Sequence, residues 1–303
     1  MPHASANGVD LFYEDFGDPA DPVILLVMGL GTQGIAWPDA FVERLVAGGF
    51  RVIRYDNRDI GRSTHLHGAT AISPVRALIS ARLGWKFPVA YTLTDMAADA
   101  VALLDALGIA RAHVVGASMG GMIAQLLAVH WPERVSSLTS MMSSSGAPGL
   151  PGAKRKVQKL ILRRPVRAIT RDTAVRLGVE LQTAISYPDP ARSPDAFANL
   201  AGRAFDNGFN PMGARRQLLA ILADGSRTER LAKVAVPTLV IHGVADPLVP
   251  YEHGRDLVTR IPGARLESIE RMGHDFPPSQ LDRLARLVID HARGALPHAA
   301  AAA

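Results

Sequence analysis

Residues 116–121, Gly-Ala-Ser-Met-Gly-Gly, constrain this chain more than any other stretch. They follow a short apolar run, His113-Val114-Val115, and precede a helical pattern over 122–129. Strand, sharp turn and helix are specified together, with Ser118 at the apex. A turn this tight brings main chain against main chain, and Gly116 and Gly120 carry no side chain to obstruct it. The serine is lifted clear of a strand's carboxyl end, with the positive end of a helix behind it. The competing reading is a glycine-rich turn whose serine only caps the helix.

The segments around this turn repeat the strand–helix alternation. Asn7-Gly8 marks a hairpin turn between a short strand and a second over 9–14. The run 23–27, Val-Ile-Leu-Leu-Val, suits a strand buried on both faces of a parallel sheet. It ends in Met28-Gly29-Leu30-Gly31, where open α/β sheets place their ligands. A helix follows over 37–46, stopped by Gly48-Gly49, then a strand over 51–55. The connection 64–92 contains an amphipathic patch at 75–83. Thr94 is placed to cap a helix over 95–107, ended by Gly108, and a strand follows over 135–142.

From 143 to 230 only helix-like segments and proline breaks occur. Strand character resumes at 236–241, followed by a helix at 251–261, a strand at 265–270 and a helix at 278–293. The pattern predicts an α/β fold, a doubly wound, mostly parallel sheet with an inserted helical cap. Its core is 1–145 with 231–293, the cap 146–230, and the tail 294–303 is expected to be disordered.

With 303 residues and 48% hydrophobic content, the chain has enough apolar material for one large core. The absence of cysteine excludes disulfides, thiolate metal sites and a thiol nucleophile. The start shows no secretion signal, no run reaches transmembrane length, and the net charge is a moderate +5. A cytoplasmic protein is expected, with no metal or cofactor.

A serine hydroxyl is a poor nucleophile near neutrality and needs a base that a third group orients. His274, in Met272-Gly273-His274-Asp275-Phe276, follows the last strand at the edge where Ser118 should also lie. Of the other nine histidines, His65 and His67 fall in a loop and His298 in the tail. His113, His130, His242, His253 and His291 fit structural or surface roles. The acid candidate is Asp246, directly after the penultimate strand, where Asp-Pro also serves as a turn-former. Ser143-Ser144-Ser145 offers no acid after the strand 135–142. The oxyanion formed on attack needs donors, expected from the backbone N–H groups of Met119 and Leu30. Trp37, Met119, Leu248, Val249 and Phe276 are candidate pocket residues.

These motifs together resemble the α/β-hydrolase superfamily, in its serine-hydrolase branch with a helical cap, over residues 8–293. The resemblance rests on Met28-Gly29-Leu30-Gly31, the run 56–63 (Asp-Asn-Arg-Asp-Ile-Gly-Arg-Ser), the turn 116–121, Gly243-Val244-Ala245-Asp246 and Gly273-His274. The loop 27–31 and the run 55–61 are similar to anthracycline methylesterases and lipase-like esterases. Two departures stand out: Met28 replaces a usual histidine, and Asp59 a common glycine. The resemblance implies a catalytic Ser118, Asp246 and His274, and hydrolysis of carboxylic esters, including small-alcohol esters of hydrophobic acids. Because the nucleophile position is serine, epoxide hydrolysis and dehalogenation are disfavoured. Cofactor-free perhydrolysis, carbon–carbon bond hydrolysis and hydroxynitrile cleavage stay open at the same serine, as does a non-enzymatic small-molecule receptor.

The positive charge is uneven. Lys154, Arg155, Lys156, Lys159, Arg163, Arg164, Arg167, Arg171 and Arg176 face only Asp172 between 152 and 176. A solvated helix face over Val157, Leu160 and Ile161 is preferred to steering of anionic substrates or contact with a membrane surface. No nucleic-acid motif occurs and no stable membrane insertion is expected. A small hydrophobic ester is the expected partner.

Overall fold

A computed structural model describes residues 2–67, 72–161 and 170–296. Its strands are β1 (His3–Ala6), β2 (Val9–Phe16), β3 (Val23–Val27), β4 (Arg51–Tyr55), β5 (Ala112–Ala117), β6 (Val135–Met141), β7 (Thr238–Gly243) and β8 (Arg265–Ile269). They form one sheet in the order β1-β2-β4-β3-β5-β6-β7-β8. β1 and β2 run antiparallel, and all pairings from β4 to β8 are parallel. The β1–β2 turn places both Asn7 (φ 49°) and Gly8 (φ 79°) in the left-handed region that a two-residue hairpin needs.

The helices of the first half are α1 (Asp39–Ala47), α2 (Pro74–Arg82), α3 (Leu93–Ala106) and α4 (Met119–His130). Between β6 and β7 lie α5 (Arg155–Ile161), α6 (Arg171–Ile185), α7 (Ala196–Asp206), α8 (Pro211–Asp224) and α9 (Thr228–Leu231). The chain closes with α10 (Glu252–Arg260) and α11 (Leu281–Gly294). Alternate residues of β3 feed opposite cores, as the two-residue period of a strand dictates. Val23, Leu25 and Val27 join residues of α3, α4 and α10, whereas Ile24 and Leu26 join Phe41, Val42 and Leu45 of α1 and Leu284 and Val288 of α11. The sheet is thus buried on both faces, and its open carboxyl edge is where loops after β3, β5, β7 and β8 gather.

Several boundaries differ from the sequence reading by a few residues, and two of them have a clear local cause. The cap of α3 is Thr92, not Thr94: Thr92 Oγ accepts from Asp95 N (3.1 Å) while Asp95 Oδ2 accepts from Thr92 N (2.8 Å). Only the three-residue spacing closes this reciprocal box. α1 begins at Asp39 because Pro38 takes the extended N-cap position. In the basic stretch, Lys154, Arg155, Lys156 and Lys159 are exposed and Val157 is buried beneath them. Arg163, Arg164 and Arg167 lie outside the described residues, as do 297–303 and His298 of the tail. Among the described residues no helix is long and apolar enough to cross a membrane.

Candidate active site

β5 delivers Ser118 into a conformation that side chains rarely adopt, φ 57° and ψ −119°. Its neighbours hold it there. Ser118 N donates to Met141 O (2.9 Å), and Ser143 Oγ donates to Ser118 O (2.7 Å). A side chain at Gly116 would run into the main chain of Gly120, and one at Gly120 into the carbonyls of Val27 and Met28. The glycines therefore let α4 sit against β3 and β5 at backbone distance. Ser118 occupies the N-cap position of α4, yet its side chain makes no capping hydrogen bond. Ser118 is half-buried, and its hydroxyl is not consumed as a helix cap.

The loop after β3 packs directly on this turn. A Cβ at Gly29 would stand 3.1 Å from Ser118 Cβ and 3.7 Å from its Oγ. Asn57 Nδ2 donates to Met28 O (2.9 Å), Thr32 N to Gly29 O (3.3 Å) and Thr32 Oγ to Leu30 O (3.0 Å). Among the described residues the N–H groups of Leu30 and Met119 find no protein acceptor. Both belong to segments beside Ser118, and both are oriented by the bonds around them.

The third component comes from the loops after β7 and β8. Asp246 Oδ1 accepts from the N–H groups of Leu248 (2.8 Å) and Val249 (2.9 Å), while Oδ2 accepts from His274 Nδ1 (2.7 Å). Both side chains are buried. Donation from Nδ1 leaves Nε2 as the imidazole's free base. Among the described residues no direct hydrogen bond links Ser118 Oγ to this ring; such contacts tighten when substrate fills a site. His274 N donates to Ile185 O (2.8 Å), and Asp275 accepts from Gly273 N (3.0 Å), Tyr187 N (3.2 Å) and Arg192. Burial pushes the Asp275 carboxyl up despite these donors.

The remaining histidines with settled surroundings serve structure. Burial pushes His113 down to about 4, and its Nδ1 meets Ser137 Oγ. His242 and His291 are also held low by burial, with backbone carbonyls as partners. Of the expected pocket residues, Leu248, Val249 and Phe276 are half-buried beside the site. Trp37 corrects the expectation: it has no exposed surface and stacks on Phe41 (5.6 Å) and against Phe276 (4.9 Å), so it supports Phe276 from the core. Met119 is likewise fully buried, so its side chain offers no exposed surface to the site.

Sequence reasoning missed how the helical insertion reaches the site. Asp59 sits at φ 72°, the backbone region that explains a glycine in other chains. Its carboxylate forms a two-bond pair with Arg216 of α8 (2.7 Å each) and accepts from Leu66 N (2.7 Å). Burial opposes the charge, but these donors outweigh it and hold the carboxyl below its ordinary range. Next to it, Arg58 pairs with Asp99, which also accepts from Asn7 (3.0 Å). The departure at Asp59 was the available signal, but its partner 157 positions away was not. Among the described residues no cluster of His, Asp and Glu is placed to hold a metal.

A sheet of this order, a strained serine turn and a buried His–Asp pair define an α/β hydrolase. The model of the alpha/beta hydrolase fold matches residues 22–278, and the chain belongs to that family. It is 34% identical over 306 residues to the rhodomycin D methylesterase DnrP of Streptomyces peucetius, covering 95% of this chain and 96% of that one. In fold it is similar to a meta-cleavage product hydrolase of Pseudomonas fluorescens (TM-score 0.75, 23% identity, 98% of each chain). An esterase of Exiguobacterium antarcticum matches with TM-score 0.73 at 22% identity, covering 96% of this chain and 98% of that one.

Proposed function

We propose that this chain hydrolyses carboxylic esters through an acyl-enzyme on Ser118, with methyl or other small-alcohol esters of bulky hydrophobic acids as the substrate class. The observation that carries the reading is the 2.7 Å bond from His274 Nδ1 to Asp246, across the sheet edge from a serine whose hydroxyl does not cap its helix. Ser118 Oγ attacks the ester carbonyl as His274 Nε2 takes its proton, and the N–H groups of Leu30 and Met119 receive the oxyanion. Collapse breaks the ester C–O bond, and His274 returns the proton to the departing alcohol. Water, activated by the same imidazole, then releases the acid. Asp246 fixes the tautomer and stabilises the imidazolium. Similarity to the methylesterase supports the small-alcohol side of the substrate. Residues 146–230 act as the cap that shields the reaction, and the cytoplasm is the compartment assigned.

Labelling with a fluorophosphonate probe tests the centre of this reading. The label is expected on Ser118, with Ser118→Ala losing both label and ester turnover. Mapping of the label to Ser143, Ser144 or Ser145 would overturn it. Faster perhydrolysis or carbon–carbon cleavage than ester turnover would reassign the reaction while keeping the serine.

A further inference from the structure

The loop carrying Leu30 N–H is held from two sides. One is local: Thr32 N binds Gly29 O, and Thr32 Oγ binds Leu30 O. Because a peptide is planar and its C=O and N–H point in opposite directions, fixing Gly29 O fixes where Leu30 N–H points. The other side is remote. Gln217 of α8, with no exposed surface, accepts from Gly31 N through Oε1 (2.8 Å) and donates from Nε2 to Arg58 O (3.0 Å). The peptide 30–31 is thereby held at both ends, its carbonyl by Thr32 and its N–H by Gln217. α8 lies against the loop here, since a Cβ at Gly31 would stand 3.1 Å from Ala214 Cβ. An amide is the side chain that suits this place: one end must accept, the other must donate, and a buried carboxylate would face Arg58 O without a proton to offer.

We infer that Gln217 is a positioning residue for the oxyanion site: it fixes the Gly29–Gly31 loop from the helical insertion, so the reactive carbonyl is stabilised only while α8 is seated. The inference rests on the acyl-enzyme reading above. Stabilisation of a developing oxyanion depends on donors being aimed before the charge appears. Loosening the loop should therefore harm the transition state more than substrate binding.

The test compares wild type, Gln217→Met and Thr32→Val on one small-alcohol ester, together with the affinity of an alkyl boronic acid and of the product acid. Thr32→Val loosens the same peptide from its half-buried local side and serves if Gln217→Met does not fold. Expected for Gln217→Met is a kcat lower by roughly tenfold to a hundredfold with KM within about threefold, since displacing a donor costs less than deleting one. Boronic-acid affinity should fall in parallel while product affinity holds. Thr32→Val should show the same split at smaller size. Folded variants with wild-type kcat, or with boronic acid and product weakened equally, overturn the role. Loss of the acyl-enzyme reading would show separately, as ester turnover that survives Ser118→Ala.

Discussion

Two of the contacts between the helical insertion and the core flank the site, and they are built on different chemistry. At α8 the contact is deep: Arg216 and Asp59 pair through two bonds with almost no exposure, Gln217 joins two loops, and Asn210 Nδ2 donates to Asp59 O (3.0 Å). At residues 185–192 the contact runs mostly between main-chain groups and carboxylates, with one ion pair. Ile185 O and Tyr187 N reach the histidine loop, Arg192 pairs with Asp275, and Asp189 accepts from Ser279 N (2.9 Å) at the surface. One contact lies against the loop of residues 29–31 and the other against the loop that carries His274. The difference teaches that the insertion is tied to both flanks of the site, by a two-bond ion pair and a buried amide on one side and by main-chain groups with a single ion pair on the other.

The largest effect should come from breaking the charged tie. Asp59→Ala leaves the Arg216 guanidinium buried without a partner, and a loss of about 3–5 kcal/mol is expected in urea denaturation. Pairing Asp59→Gly with Arg216→Met should recover most of that loss, because glycine accepts the left-handed backbone and methionine fills the space without charge. Failure of the double variant to recover would mean the tie depends on shape rather than on charge balance.

Acid separates the two ties in opposite directions. The Asp59 carboxyl is held below its ordinary value of 3.8, so its contribution is complete above that value and is lost as pH falls through the lower folded value. The Asp275 carboxyl is held above 3.8, so the native state keeps its proton longer and wild type loses stability as pH rises through the folded value. In urea midpoints measured from about pH 3 to pH 7, the deficit of Asp59→Asn should shrink toward the acid end. Asp275→Asn should instead gain on wild type as the pH is raised. Parallel curves for the two variants would contradict this assignment.

The smallest effect is expected at Arg171→Ala. Arg171 and Asp206 join α6 to α7 through two bonds, but both side chains are more than half exposed. Solvent screens such a pair, and no resolvable change in denaturation midpoint or turnover is expected. A clear loss would show that the outer helices of the insertion are coupled to the core more tightly than their exposure suggests.

What could be read from the sequence follows the range of each interaction. The turn at Ser118 and the Asp246 turn are local, built within a few residues, and they stand where strand and glycine patterns place them. Family membership and the mostly parallel sheet were equally accessible, because alternating strands and helices write themselves as periodicity. Thr92 was overlooked because two threonines precede Asp95 and only backbone geometry separates them. Trp37 was misplaced because an aromatic near a glycine-rich loop does not announce which side of the loop it faces. Arg216, Gln217 and Arg192 were silent, since each acquires its meaning from a partner at least 83 positions away.

The left-handed aspartate has a practical consequence for anyone recombining these enzymes. Positions 59 and 216 lie on separate segments that a domain exchange would part. An insertion moved onto a core with glycine at position 59 would arrive with an orphaned guanidinium, and a core moved without its insertion would keep a carboxylate that has lost its countercharge. The two segments are therefore one heritable unit, and chimaeras should be cut so that both sides of the ion pair travel together.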